Sequence, residues 1–163
     1  MQGETFENRI EVGDRAPAFE LEAHDGSRIS SADLAGEGYV LYFYPKDDTP
    51  GCTNEACGFR DAETSFGERG LRVLGVSPDS VKSHEKFRQK YGLPFTLLSD
   101  PERTLARAYG VWQKKINYGR EYMGIVRSTF LVDAGGIVQQ VWRSVRVPGH
   151  VEAVLSAAGG AEG

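Results

Sequence analysis

The chain has 163 residues, enough to bury a hydrophobic core without disulfide or metal staples, and its hydrophobic and charged fractions are those of a soluble globular protein. A formal net charge of -4 with no basic run argues against a dedicated nucleic-acid binder. No apolar stretch approaches the roughly 18 residues needed to cross a bilayer.

The first residues, Met1-Gln2-Gly3-Glu4-Thr5-Phe6-Glu7-Asn8, are polar and acidic, with neither a basic n-region nor an apolar h-region. The expected compartment is therefore a reducing cytoplasm, where two cysteines point to redox or metal chemistry rather than a structural staple. No internal repeat or linker divides the chain. It reads as a single domain over residues 1–163, with a core at about 13–155 and a tail at 157–163 expected to fray.

Phe19-Glu20-Leu21 alternates apolar with polar, Asp25-Gly26 marks a turn, and Arg28-Ile29-Ser30 follows, which predicts a small hairpin. Ser31-Ala32-Asp33-Leu34 reads as a short helical turn. Tyr39-Val40-Leu41-Tyr42-Phe43-Tyr44 is a continuous apolar run that fits a strand buried on both faces, ended by Pro45. Thr49 is then a good N-cap, Pro50 suits the first helical position, and Glu55 adds negative charge near the helix start. Phe59, Ala62 and Phe66 recur at helical spacing, and Gly67 and Gly70 bracket the exit. Leu71-Arg72-Val73-Leu74-Gly75-Val76 predicts the next strand. A helix capped by Ser80 or Ser83 runs to Tyr91 and closes on Gly92. Phe95-Thr96-Leu97-Leu98 is a strand and residues 103–109 a short helix. Ser128-Thr129-Phe130-Leu131-Val132-Asp133 and Ile137-Val138-Gln139-Gln140-Val141-Trp142 form a hairpin around Ala134-Gly135-Gly136, and Pro148 starts a final helix to about Ala157. The order is β-β, then β-α-β-α-β-α, then β-β-α. It fits a thioredoxin-like α/β fold: a central mixed sheet flanked by helices, with an N-terminal hairpin.

Both cysteines lie in one short run, Tyr44-Pro45-Lys46-Asp47-Asp48-Thr49-Pro50-Gly51-Cys52-Thr53-Asn54-Glu55-Ala56-Cys57. With Thr49 as N-cap, Cys52 is the third helical residue, where unpaired N–H groups and the positive end of the helix dipole favour a thiolate. Cysteines in such positions titrate below the free value of about 8.5. Pro50-Gly51 allow close approach of the backbone to whatever Cys52 attacks.

The spacing of Cys57 sets a geometric condition. Five helical residues give about 7.5 Å of rise and about 140° of rotation, so the two Cα atoms stand roughly 8.7 Å apart. A disulfide needs about 4.4–6.8 Å. A Cys52–Cys57 bond therefore requires local unfolding between Gly51 and Phe59. A thioredoxin-type exchanger would use Cys-x-x-Cys, and a zinc site would need four ligands. His24, His84 and His150 are scattered and are expected at the surface rather than as ligands. The remaining chemistry is an exposed thiolate oxidised to a sulfenic acid and condensed with a neighbouring thiol, the disulfide then being reduced by an external dithiol. A redox sensor or thiol switch could use the same disulfide, and a small metal-binding module is a weaker rival.

These residues resemble the peroxiredoxin family. Pro45, Thr49 and Cys52 match its Pro-x-x-x-Thr-x-x-Cys motif, and residues 44–56 with Cys57-Gly58-Phe59-Arg60-Asp61 are similar to the PrxQ or bacterioferritin comigratory protein subfamily. The likeness continues through Ala108-Tyr109-Gly110-Val111-Trp112 and Gly124-Ile125-Val126-Arg127-Ser128-Thr129-Phe130-Leu131-Val132-Asp133, and spans about 13–155. It implies that Cys52 is the peroxidatic nucleophile and Cys57 the resolving cysteine. It further implies that Thr49 hydrogen-bonds the peroxide, that Pro45 shields the thiolate, and that Arg127 stabilises the thiolate and the developing oxyanion. The implied enzyme is a monomeric, cytoplasmic peroxidase for hydrogen peroxide and organic hydroperoxides, recycled by thioredoxin or a similar dithiol, without metal or other cofactor. The absence of a long cysteine-bearing extension past the last helix argues against resolution by a partner subunit.

Arg60, eight residues after Cys52, either faces the same side of the helix or pairs with Asp61 or Glu63. Tyr44 and Trp112 read as packing residues, and Lys46-Asp47-Asp48 as a solvated loop face with Lys46 a candidate source of positive potential.

Overall fold

The computed structural model describes residues 9–160. The acidic start, and residues 161–163 of the expected tail, lie outside the described residues.

The N-terminal hairpin forms as predicted, from β1 (Glu20–Ala23) and β2 (Arg28–Ser30), with Gly26 at positive φ in its turn. Ser30 then caps a 3-10 turn over Ser31–Leu34, its side chain accepting from Asp33 N–H while the Asp33 carboxylate accepts from Ser30 N–H. The apolar run becomes β3 (Gly38–Phe43), buried along its whole length. It leads into α1 (Pro50–Glu68), which ends between Gly67 and Gly70 as expected. β4 (Leu71–Ser77), α2 (Val81–Tyr91), β5 (Thr96–Ser99) and α3 (Thr104–Tyr109) follow in the expected alternation. Ser80 caps α2 by accepting from Ser83 N–H, and Gly92 closes it at φ 61, a left-handed position suited to glycine.

The next two elements were not expected. β6 (Trp112–Asn117) and β7 (Arg120–Ile125) pair antiparallel as a separate two-stranded ribbon. Its sequence, with Lys114, Lys115, Arg120 and Glu121, lacks a clean apolar alternation because much of the ribbon faces water: Ile116, Tyr118, Tyr122 and Met123 are all exposed. β8 (Ser128–Val132) and β9 (Val138–Trp142) form the predicted late hairpin. The last helix, α4 (His150–Gly160), begins two residues after Pro148 and continues beyond Ala157. Ala158 is buried, so packing holds this turn in the helix where the sequence predicted fraying.

The main sheet has the order β2-β1-β5-β4-β3-β8-β9, with β4 parallel to β3 and β5, and the other pairings antiparallel. Successive residues of β3 serve opposite cores because strand side chains alternate. Leu41 and Phe43 pack with Leu105, Ala106 and Tyr109 of α3 on one face. Val40, Tyr42 and Tyr44 pack on the other with Cys52, Ala56, Phe59 and Phe66 of α1, Phe87 of α2 and Val154 of α4. Phe59 is fully buried, stacking on Tyr42 at 4.6 Å between ring centroids, and burial of such a ring contributes about 1.5–3 kcal/mol. This is a thioredoxin-like α/β sandwich, and it places the start of α1 at the end of central strand β3.

Candidate active site

Backbone geometry at the start of α1 follows the sequence signals closely. Thr49 has extended N-cap dihedrals (φ -105, ψ 156), and Pro50 opens the helix. The Thr49 hydroxyl does not cap, however. It donates to Lys46 C=O at 2.9 Å. The first helical bond runs from Thr53 N–H to Thr49 C=O at 2.7 Å, so the N–H groups of Gly51 and Cys52 precede the helical ladder and are available to an anion. Cys52 is only 1% exposed, and both cysteines are free thiols. Cys57 is half-buried further along the same unbroken helix.

Arg127 meets this helix start from the opposite side. It sits in the two-residue link between β7 and β8, one residue before the strand rather than on it. Val126 N–H bonds to Val111 C=O at 2.8 Å and Val145 N–H to Arg127 C=O at 2.9 Å, which pins the link. Its Nη2 donates to Cys52 Sγ at 3.4 Å and its Nη1 to Glu55 Oε1 at 2.6 Å. A Cβ on Gly51 would lie 3.2 Å from Nη2, so the glycine leaves room for the guanidinium.

Glu55, expected only as negative charge near the helix start, is fully buried. Burial pushes its pKa up to about 7 against the opposing pull of Arg127. Its Oε2 and the hydroxyl of Tyr42 are both buried without hydrogen-bond partners. Burial, with the nearby charges of Glu55 and Cys52, also keeps the Tyr42 phenol well above its usual range. The sequence did hold a signal for Glu55: it lies three residues after Cys52, beside the buried positions Ala56 and Phe59 on one helix face. Lys115 of β6, also missed, donates Nζ to Ile125 C=O at 2.9 Å; burial and the charge of Arg127 lower its pKa while the charge of Cys52 opposes them.

The loop before α1 is tied from the other side. Tyr44, buried in the core as expected of a packing residue, also donates its hydroxyl to Asp47 Oδ1 at 2.6 Å. Asp47 Oδ2 accepts from Ser83 Oγ at 2.8 Å and lies 2.7 Å from His84 Nδ1, while His84 Nε2 faces Leu98 C=O at 2.9 Å. The solvated face predicted for residues 46–48 thus applies to Lys46 and Asp48, whereas Asp47 is buried. Lys46 itself contributes its carbonyl to the site through Thr49.

His84 and His150 are also buried, against the expectation of surface histidines. His150 Nε2 lies 2.8 Å from Thr129 Oγ1, and burial together with the charge of Arg127 lowers its pKa to about 4. Donor atoms of Asp47, Asp79 and His84 lie within 4.8 Å of one another, a metal-type grouping among the described residues, but they are engaged in hydrogen bonds with protein groups. Arg60 resolves toward its second alternative: it pairs with Asp61 at 2.9 Å and donates to Tyr91 C=O at 2.8 Å. Trp112 packs against the core, with Arg103 over its ring at 4.8 Å.

A cysteine held at the start of a helix against a half-buried arginine, on a thioredoxin-like sheet, defines a thiol-redox protein. The AhpC/TSA family pattern matches residues 12–141. A putative peroxiredoxin Bcp of Coxiella burnetii is 53% identical over 146 residues, covering 90% of this chain and 97% of its own. The peroxiredoxin Bcp of Bacillus subtilis is 52% identical, covering 90% and 93%. A structure of the Xanthomonas campestris bacterioferritin comigratory protein, solved to study its alkyl peroxide reduction activity, superimposes with a TM-score of 0.84 at 44% identity, covering 87% of this chain and 90% of that one. The chain belongs to the AhpC/TSA family, among the peroxiredoxins of the Bcp or PrxQ type.

Proposed function

We propose that Cys52 is the peroxidatic and Cys57 the resolving residue of this thiol peroxidase. The observation that carries the assignment is the placement of Arg127 Nη2 at 3.4 Å from Cys52 Sγ, at a helix start whose first N–H groups precede the helical ladder. The Cys52 thiolate attacks the terminal oxygen of a hydroperoxide. An S–O bond forms, the O–O bond breaks, and the departing alkoxide or hydroxide takes a proton to leave as alcohol or water. Arg127 faces the sulfur, where negative charge moves onto the oxygens, and so stabilises the transition state. Thr49 accepts the hydroperoxide O–H, and Pro45, half-buried beyond β3, shields the sulfur from water.

The sulfenic acid then condenses with the Cys57 thiol, releasing water and forming an intramolecular disulfide. Because both residues lie in one regular helix, this step unwinds the first turns of α1. A thioredoxin-like dithiol reduces the disulfide by exchange. The protein works as a monomer in the cytoplasm. Among the described residues no helix is long and apolar enough to cross a membrane.

Peroxide consumption coupled to thioredoxin, thioredoxin reductase and NADPH tests the scheme. Catalytic turnover is expected for the native chain and none for Cys52→Ser. Cys57→Ser is expected to react once and stop as a sulfenic or over-oxidised acid by mass spectrometry. Sustained turnover of Cys57→Ser with thioredoxin would remove Cys57 from the cycle.

A further inference from the structure

The Thr49 hydroxyl has one proton, and it is committed to Lys46 C=O at 2.9 Å. Its oxygen is left with lone pairs only, which suits it to accept the O–H of a hydroperoxide and not to donate. The orientation of Thr49 therefore depends on the Lys46 carbonyl. That carbonyl belongs to the Lys46–Asp47 peptide, whose planarity fixes C=O and N–H together. The N–H half, on Asp47, donates to Asp79 Oδ2 at 2.7 Å.

Asp79 is itself firmly placed in the link between β4 and α2. Its Oδ2 also accepts from Ser77 Oγ at 2.6 Å, its N–H donates to Ser77 Oγ at 3.1 Å, and its carbonyl accepts from Ser99 Oγ at 2.6 Å. Ser77 and Ser99 are both buried at the ends of their strands. The side chain of Asp47 holds the same peptide unit a second time, through Tyr44, Ser83 and His84.

We propose that Asp79 is a positioning residue for the peroxide step: it fixes the Lys46–Asp47 peptide so that the Lys46 carbonyl keeps the Thr49 hydroxyl turned as an acceptor toward the hydroperoxide. The inference rests on the acceptor role assigned to Thr49 under the proposed function. Asp79 touches neither sulfur nor substrate and acts only through Thr49. Its removal leaves the thiolate intact but lets the Thr49 proton point into the site, where it competes with the proton of the substrate.

The test is a double-mutant cycle on the full chain, read as the second-order rate of Cys52 oxidation by hydrogen peroxide. Alkylation of Cys52 by iodoacetamide serves as a reaction that needs the thiolate but no acceptor. Asp79→Ala is expected to slow peroxide oxidation about tenfold, a hydrogen bond's worth of orientation, and to leave alkylation unchanged. In a Thr49→Val background the Asp79→Ala loss should disappear, because the two residues act in series. Asp79→Asn, which keeps one acceptor oxygen, covers the case in which the alanine variant does not fold. Its loss should be smaller and should vanish in the Thr49→Val background too. An Asp79 effect that persists undiminished without the Thr49 hydroxyl, or an equal fall in alkylation, overturns the inference while leaving the Thr49 role standing. An unchanged peroxide rate in Thr49→Val alone overturns both.

Discussion

On the loop side of Cys52, the segment between β3 and α1 is held by donors and acceptors that match. The Asp47 carboxylate meets Tyr44, Ser83 and His84, and its N–H meets Asp79. On the strand side, Arg127 divides its guanidinium between a sulfur and a buried carboxylate whose second oxygen has no partner. A matched network fixes geometry and gains nothing when charge moves nearby. An incompletely matched group of ionisable atoms is sensitive to such movement. The difference assigns orientation to the loop and electrostatics to the strand link.

Breaking the strand side should give the largest effect. Arg127→Ala is expected to slow Cys52 oxidation by about 10²–10³-fold, the range for removing one preorganised donor from a developing anion. Stopped-flow measurement with hydrogen peroxide checks this, and an unchanged rate would take Arg127 out of the chemistry.

The next effect is on stability. Glu55 has a folded pKa of about 7 against a reference of 4.5. Between these values the folded protein keeps a proton that the unfolded chain has released, so the Glu55 contribution falls as pH rises through that window. Relative to Glu55→Gln, which cannot titrate, the native chain should lose about 3 kcal/mol of unfolding free energy from pH 4.5 to pH 8. Urea titrations across that range would show parallel profiles if the carboxylate does not titrate in place.

Breaking the loop side should be milder and of another kind. Asp47→Asn removes the charge from a buried, fully bonded acceptor and is expected to destabilise the fold by about 1–3 kcal/mol. Cys52 alkylation by iodoacetamide should stay unchanged. A fall in alkylation comparable to that in Arg127→Ala would erase the division between the two sides.

The loop side was the more legible of the two in its backbone and the less legible in its side chains. Thr49, Pro50 and Cys52 announce a helix start through local signals, since capping and proline chemistry act within a few residues. Arg127 is 75 residues from Cys52 in sequence, and only the family resemblance singled it out. The ion pair of Glu55 is not legible locally, because its partner comes from that same distant link. His84 and His150 were misplaced for a similar reason: their ring partners, Asp47 and Thr129, lie 37 and 21 residues away. The β6–β7 ribbon escaped notice because a strand pair with exposed apolar residues and mixed charges lacks the period that betrays a half-buried strand.

The seam between α1 and α4 has a further consequence. A Cβ on Gly58 would stand 2.9 Å from Val151 Cγ2, so the Val151 side chain of α4 packs directly on the backbone of α1 just past Cys57. The next residue, Phe59, is locked against Tyr42, Phe66 and His150. Under the proposed scheme, the unwinding that brings Cys57 to Cys52 would meet a stop at this seam. On that scheme the stretch ahead of the stop would work as a timer: the sturdier its helical turns, the longer a sulfenic acid at Cys52 would wait for Cys57, and the lower the peroxide dose at which a second oxidant molecule would arrive first. Tolerance to oxidative stress would then be set by the strength of two helical turns, with a mutation at the seam able to retune it without touching the reacting atoms.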